Sequence, residues 1–116
     1  GSSYSASLAL KFASDFPDGI SGVVAFSPAE YFSKFGWSRS IITTSATKIK
    51  CSVFIASNAN EKERWQGIYD AIPGQNKSFY LPEAGGKHGA KTLWSSFPES
   101  TAYWNALRGF LNRYTK

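Results

Sequence analysis

Two short, nearly continuous apolar segments constrain the fold more than any other feature of the sequence. The first covers residues 20–26, and the second covers residues 49–57, centred on Cys-Ser-Val-Phe-Ile-Ala. Apolar runs of this length are typical of strands that are covered on both faces, as in a parallel sheet. Residues 77–82 are a third, shorter strand candidate.

Helical patterns flank and separate these strands. Residues 4–16 carry apolar side chains around most of the circumference, which predicts a helix buried on several sides. Residues 61–72 and 98–114 repeat aromatic and aliphatic residues at helical spacing, with Pro98 in a first helical turn. A Ser/Thr-rich segment, residues 39–47, has a weaker helical pattern, and residues 29–37 predict either a short helix or a loop. The alternation of strands and helices predicts an α/β fold with a parallel sheet.

The composition fits one small domain and argues against several functional classes. A hydrophobic fraction of 42% is enough for a core, and the net charge of +5 comes from scattered lysines rather than a basic stripe. We therefore expect no nucleic-acid partner. No apolar run approaches the ~20 residues of a membrane-spanning helix, so no membrane partner is expected, and the compartment is left open. With one Cys, Cys51, and one His, the sequence predicts no Cys/His metal site, and we expect no cofactor.

The first five residues, Gly1-Ser2-Ser3-Tyr4-Ser5, fit the pattern of a nucleophile elbow. In such an elbow a Ser lies on a sharp turn that opens a helix, and its neighbours are small because the turn is tight. Ser3 would be the nucleophile, and the backbone N–H of Tyr4 would donate to an oxyanion. The alternative interpretation is an ordinary turn or a remnant of cloning.

His88 is the only histidine, and it follows the last predicted strand in a Gly-rich loop. A Ser hydroxyl needs an adjacent base, usually His, which a third group orients. For the acid we favour Glu61, which follows the second strand; Asn60 beside it and Glu30 after the first strand are the alternatives. The carboxyl ends of parallel strands share one edge of a sheet, so Ser27, residues 58–61 and His88 are expected to meet there.

Residues 1–5, 22–28, 53–57 and 85–89 together resemble the C-terminal half of a serine α/β-hydrolase of the dienelactone hydrolase-like kind. The resemblance implies a three-layer α/β/α fold in which residues 1–116 run from the elbow to the C-terminal helix, as one segment. The N-terminal half, with a second oxyanion donor, would lie outside this sequence. The resemblance also implies hydrolysis of esters or related acyl compounds through an acyl-enzyme.

The sequence departs from this family at two positions of the site. Ser5 stands where the elbow usually has Gly, and Asn60 stands where an Asp is expected. A non-catalytic, hydrolase-like binding module is therefore the alternative function.

The resemblance also implies an exposed sheet edge beside the first strand, which would pair with the missing half or with a second copy. The 116-residue chain alone is accordingly expected to be weakly active or inactive. Four aromatic side chains are expected either at an acyl pocket or in the core. They are Tyr31, Phe32, Phe35 and Trp37.

Overall fold

Three parallel strands form the sheet of the computed structural model, which describes residues 1–114. The strands are β1 (Gly22–Phe26), β2 (Ser52–Ala56) and β3 (Lys77–Tyr80), and they lie side by side in chain order. Both neighbouring pairs are parallel, with Val23 opposite Val53 and Val53 opposite Lys77. The predicted parallel α/β sheet is confirmed.

Four α-helices lie within residues 1–114, close to the predicted segments. They are α1 (Tyr4–Asp15), α2 (Ile41–Ala46), α3 (Lys62–Ala71) and α4 (Ser100–Tyr114). The ambiguous aromatic segment contains a 3-10 turn at Ser33–Phe35, and a second such turn at Gly89–Leu93 was not predicted. Pro98 lies two residues before the first residue of α4, so the predicted start of this helix was too early.

Helices cover both faces of the sheet and so make three layers. On one face Leu10 of α1, Ile42 of α2 and Trp65 of α3 pack with Val53 and Ile55 in a single buried cluster. On the other face Tyr103, Leu107 and Phe110 of α4 pack with Phe26 and Phe54. Because successive strand residues point to opposite faces, β1 and β2 need apolar side chains at nearly every position.

Residues 1–3 extend the sheet beyond β1. Ser2 forms an isolated parallel bridge with Phe26. The Phe26 N–H donates to the Gly1 carbonyl at 2.9 Å, and the Ser3 N–H donates to the Phe26 carbonyl at 2.7 Å. Since α1 begins at Tyr4, this short pairing is followed at once by a helix, which is the strand-to-helix turn of the predicted elbow.

Helix α1 buries one face instead of several. Leu10 and Ala13 are fully buried against the sheet, whereas Phe12 is 52% exposed and Phe16 is 55% exposed. The prediction of burial on several sides was therefore wrong for the described residues. The reason is that residues 1–114 place no further layer over this side of α1 and the adjoining edge of β1.

No helix in the described part of the chain is both long enough and apolar enough to cross a bilayer.

Candidate active site

The predicted site residues meet at the carboxyl edge of the sheet. Ser3 is bonded to the last residue of β1, Glu61 follows β2, and His88 follows β3. Chain segments that are far apart in sequence thus reach one edge, as the strand order requires.

The backbone at Ser3 is strained in the way a tight elbow requires. Ser3 has φ 56° and ψ −120°, and positive φ is uncommon for residues other than glycine. A Cβ atom at Gly1 would overlap the carbonyl of Ser5, so this position requires a glycine. Such strain costs ~1–3 kcal/mol and is concentrated at functional sites.

Ser5 stands where the nucleophile-elbow pattern has glycine, and it closes the same turn. Its hydroxyl accepts a hydrogen bond from the Ser2 N–H and donates one to the Ser2 carbonyl, both at 2.8 Å. The substitution is therefore accommodated through two side-chain hydrogen bonds that a glycine could not make.

A continuous chain of hydrogen bonds joins the three predicted polar residues. Ser3 Oγ lies 2.7 Å from His88 Nε2, and His88 Nδ1 is hydrogen-bonded to Glu61 Oε2. An ionised carboxylate only accepts hydrogen bonds, so Nδ1 carries the imidazole proton. Nε2 is then free to accept the proton of the Ser3 hydroxyl.

The Glu61 carboxylate is buried, with the residue only 5% exposed. Burial alone would raise the pKa of this carboxyl, but hydrogen bonds from His88, Ser27 and the Asn58 N–H outweigh it, so the pKa is lowered. The bond from Ser27 Oγ is 2.8 Å long and the bond from the Asn58 N–H is 3.2 Å, both to Oε1. Glu61 is thus an ionised carboxylate that accepts hydrogen bonds on both of its oxygens.

Ser27 links the carboxylate to the histidine loop. Its φ is 58°, and besides donating to Glu61 its hydroxyl accepts the Gly89 N–H at 2.7 Å. The next N–H of the loop, that of Ala90, donates to Ser2 Oγ at 2.8 Å. Sequence reasoning placed Ser27 at this edge but gave it no role in the site, and it gave none to Ser2.

The other face of the histidine loop packs on α4. Gly86 has φ +85°, and a Cβ atom there would overlap the Tyr103 hydroxyl. That hydroxyl donates to the Ser57 carbonyl at 2.6 Å, and Tyr103 is fully buried. The loop that carries His88 is therefore fixed from both sides.

The two residues considered as alternatives to Glu61 are not hydrogen-bonded to His88 in the described part of the chain. The Glu30 carboxylate accepts the backbone N–H groups of Ile42 and Thr43 at 2.9 and 2.7 Å, and so stabilises the first turn of α2. Asn60 is exposed, and its N–H donates to Asn58 Oδ1 at 2.9 Å in the turn before α3.

The Tyr4 N–H belongs to the residue that follows Ser3 and opens α1. Tyr4 is the first residue of α1, and N–H groups of a first helical turn have no partner within the helix. Within residues 1–114 no protein group accepts a hydrogen bond from it.

Three of the four predicted aromatic residues line one small cavity beside the elbow. Phe32, Phe35 and Trp37 share it with Tyr4, and its volume is about 140 Å³. Tyr31 does not line this cavity; its hydroxyl donates to the Ser27 carbonyl at 2.8 Å. Tyr31 therefore supports the positioning of Ser27.

Comparisons with known proteins add no family assignment. No protein-family model matches the chain, and no curated protein or solved structure gives a significant match.

Proposed function

We propose that this chain carries the catalytic residues of a serine hydrolase that acts on carboxylic esters or related acyl compounds. The observation that carries the proposal is the hydrogen-bonded series from Ser3 Oγ through the His88 ring to the buried Glu61 carboxylate. The strained φ of Ser3 and the unpaired Tyr4 N–H support it independently.

The proposed reaction begins when Ser3 Oγ attacks the ester carbonyl carbon and its proton passes to His88 Nε2. Glu61 stabilises the imidazolium, and the Tyr4 N–H donates to the oxyanion of the tetrahedral intermediate. When the carbon–oxygen bond to the alcohol breaks, Nε2–H protonates the leaving oxygen and an acyl-enzyme remains. A water molecule then gives a proton to Nε2 and attacks the acyl carbon. When this second tetrahedral intermediate collapses, Nε2–H returns the proton to Ser3 Oγ, which restores Ser3 and releases the carboxylic acid.

Hydrolysis of p-nitrophenyl esters by the complete protein tests this proposal. Ser3→Ala removes the nucleophile, and we expect kcat to fall by about 10³-fold or more. The matched control is Ser33→Ala, an exposed serine in the 3-10 turn, which should retain the activity. Unchanged hydrolysis in Ser3→Ala would contradict the proposal and favour the alternative of a non-catalytic binding module.

A further inference from the structure

The cavity beside the elbow has a composition and a size that restrict the substrate. Its walls are aromatic and aliphatic side chains from α1, the segment after β1 and the start of α2. Besides the stem of Lys11, these are Tyr4, Leu8, Phe32, Phe35, Trp37 and Ile41. An enclosed apolar cavity of about 150 Å³ holds one benzene molecule, so a cavity of about 140 Å³ accepts an apolar group of that size.

The aromatic side chains of the cavity wall pack on one another. The Tyr4 and Phe32 rings pack edge to face with centroids 4.9 Å apart, and the Tyr4 and Phe35 rings do so at 6.2 Å. The Phe32 and Trp37 rings are 6.2 Å apart. Because each ring is held by a neighbour, the cavity is largely preorganised, which lowers the entropic cost of binding.

Among the described residues that line the cavity, Lys11 alone is charged, and it is held in an ion pair. Lys11 Nζ is paired with both oxygens of the Asp15 carboxylate, at 2.6 and 2.8 Å. Its ammonium is therefore not an unpaired partner for an anionic substrate, and its methylene stem adds to the apolar wall. This arrangement favours an uncharged group over a carboxylate-bearing one.

The position of the cavity indicates which side of the ester it holds. It begins at Tyr4, the residue next to the proposed nucleophile, and none of its lining residues comes from the loop that carries His88. The leaving alcohol must face His88 Nε2 to receive its proton. The acyl group, which stays on Ser3, therefore extends away from the loop that carries His88 and toward the cavity.

We infer that the enzyme prefers esters whose acyl group is uncharged, apolar and about the size of a phenyl ring or a six-carbon chain. This inference rests on the proposed function. Each buried methylene improves transition-state binding up to about fourfold, so kcat/KM should rise at least tenfold from acetate to hexanoate and fall again at decanoate. The benzoate ester should bind with an affinity similar to that of the hexanoate ester.

A series of p-nitrophenyl esters, differing only in the acyl group, tests the inference on three variants. Phe35→Ala enlarges the cavity and should move the optimum toward decanoate, while Ile41→Trp fills it and should move the optimum toward acetate. Phe16→Ala is the matched control, because Phe16 is 55% exposed, as Phe35 is 57% exposed, and lies outside the cavity. Its optimum should not move.

Two results separate this inference from the proposed function. A chain-length profile that is flat, or that is the same in Phe35→Ala and Ile41→Trp, overturns the inference even if esters are hydrolysed. If no ester is hydrolysed, binding of benzamide is measured by NMR. If benzamide binds, and Ile41→Trp abolishes the binding whereas Phe16→Ala does not, the apolar cavity is supported although the proposed function fails. Absence of binding overturns both.

Discussion

Glu61 is the residue on which the proposed chemistry depends most after Ser3 and His88. Its carboxylate fixes the imidazole tautomer and is itself fixed by Ser27 and by the Asn58 N–H. The sequence indicated Ser3, His88 and Glu61 because each is a reactive type in the right order. It placed Ser27 at the same edge but could not indicate its role, because its contacts to Glu61 and Gly89 join segments 34 and 62 residues apart and leave no local pattern.

Glu61→Gln should lower kcat by about 10³- to 10⁴-fold, because an amide can hold the wrong tautomer and cannot stabilise the imidazolium by charge. Glu30→Gln is the matched control. It weakens the first turn of α2, at a cost of about 1 kcal/mol of unfolding free energy, and should leave kcat within a few-fold. Equal losses of kcat in the two variants would show that Glu61 has no special place in the reaction.

The lowered pKa of Glu61 also predicts a pH dependence of stability. A carboxyl whose pKa is lower in the folded state stabilises the fold above its unfolded value of about 4.3, and this contribution is lost as the pH falls through the folded pKa. The difference in unfolding free energy between the wild type and Glu61→Gln should therefore shrink as the pH drops below about 4. Urea titrations from pH 7 to pH 3 measure it, with exposed Glu63→Gln as the control. A difference that stays constant or grows would contradict the prediction.

At the level of elements, the loop from β3 to α4 carries most of what the sequence did not indicate. The Gly-rich segment predicted a flexible connection, whereas the structure holds it between Ser2, Ser27 and α4 and continues it into a 3-10 turn at Gly89–Leu93. The main strands and helices were predictable because hydrophobic period is a local property. The loop was not, because side chains from distant segments determine its path.

Gly86→Ala should disturb this loop more than the positive φ alone requires. An alanine in the left-handed region costs ~1–2 kcal/mol, and at Gly86 its Cβ would in addition overlap the Tyr103 hydroxyl. Gly74→Ala is the matched control, since Gly74 has φ +80° and open space around it. We expect both variants to lose stability in thermal unfolding but only Gly86→Ala to lose most of its esterase activity. Comparable activity in the two variants would mean that the loop does not need this contact.

At the scale of the whole molecule, the edge of the sheet beside β1 is paired only with residues 1–3 within residues 1–114. The Gly1 amino group donates to the Val24 carbonyl at 2.8 Å and the Phe26 N–H donates to the Gly1 carbonyl, so this pairing reaches Val24 and stops before Gly22. An open groove lined by side chains including Leu8, Phe12 and Ile20 runs along this edge. An edge of this kind is a template for pairing with another chain. We propose that a second copy of this chain covers it.

The chain should therefore associate as its concentration rises. Phe12→Lys places a charge in the groove and should shift sedimentation toward the monomer, while Leu111→Lys on α4 should not. A chain that stays monomeric at all concentrations, or associates equally in both variants, would contradict this account of the edge.

The most direct test of the central claim is covalent labelling of the complete protein with a fluorophosphonate, located by mass spectrometry of the peptides. A nucleophile activated by His88 and Glu61 should form a single adduct on Ser3, and the labelling rate should fall by orders of magnitude in Glu61→Gln. Labelling of Ser3 no faster than that of exposed Ser33, or an adduct on a different serine, would contradict the claim that these three residues form a catalytic triad.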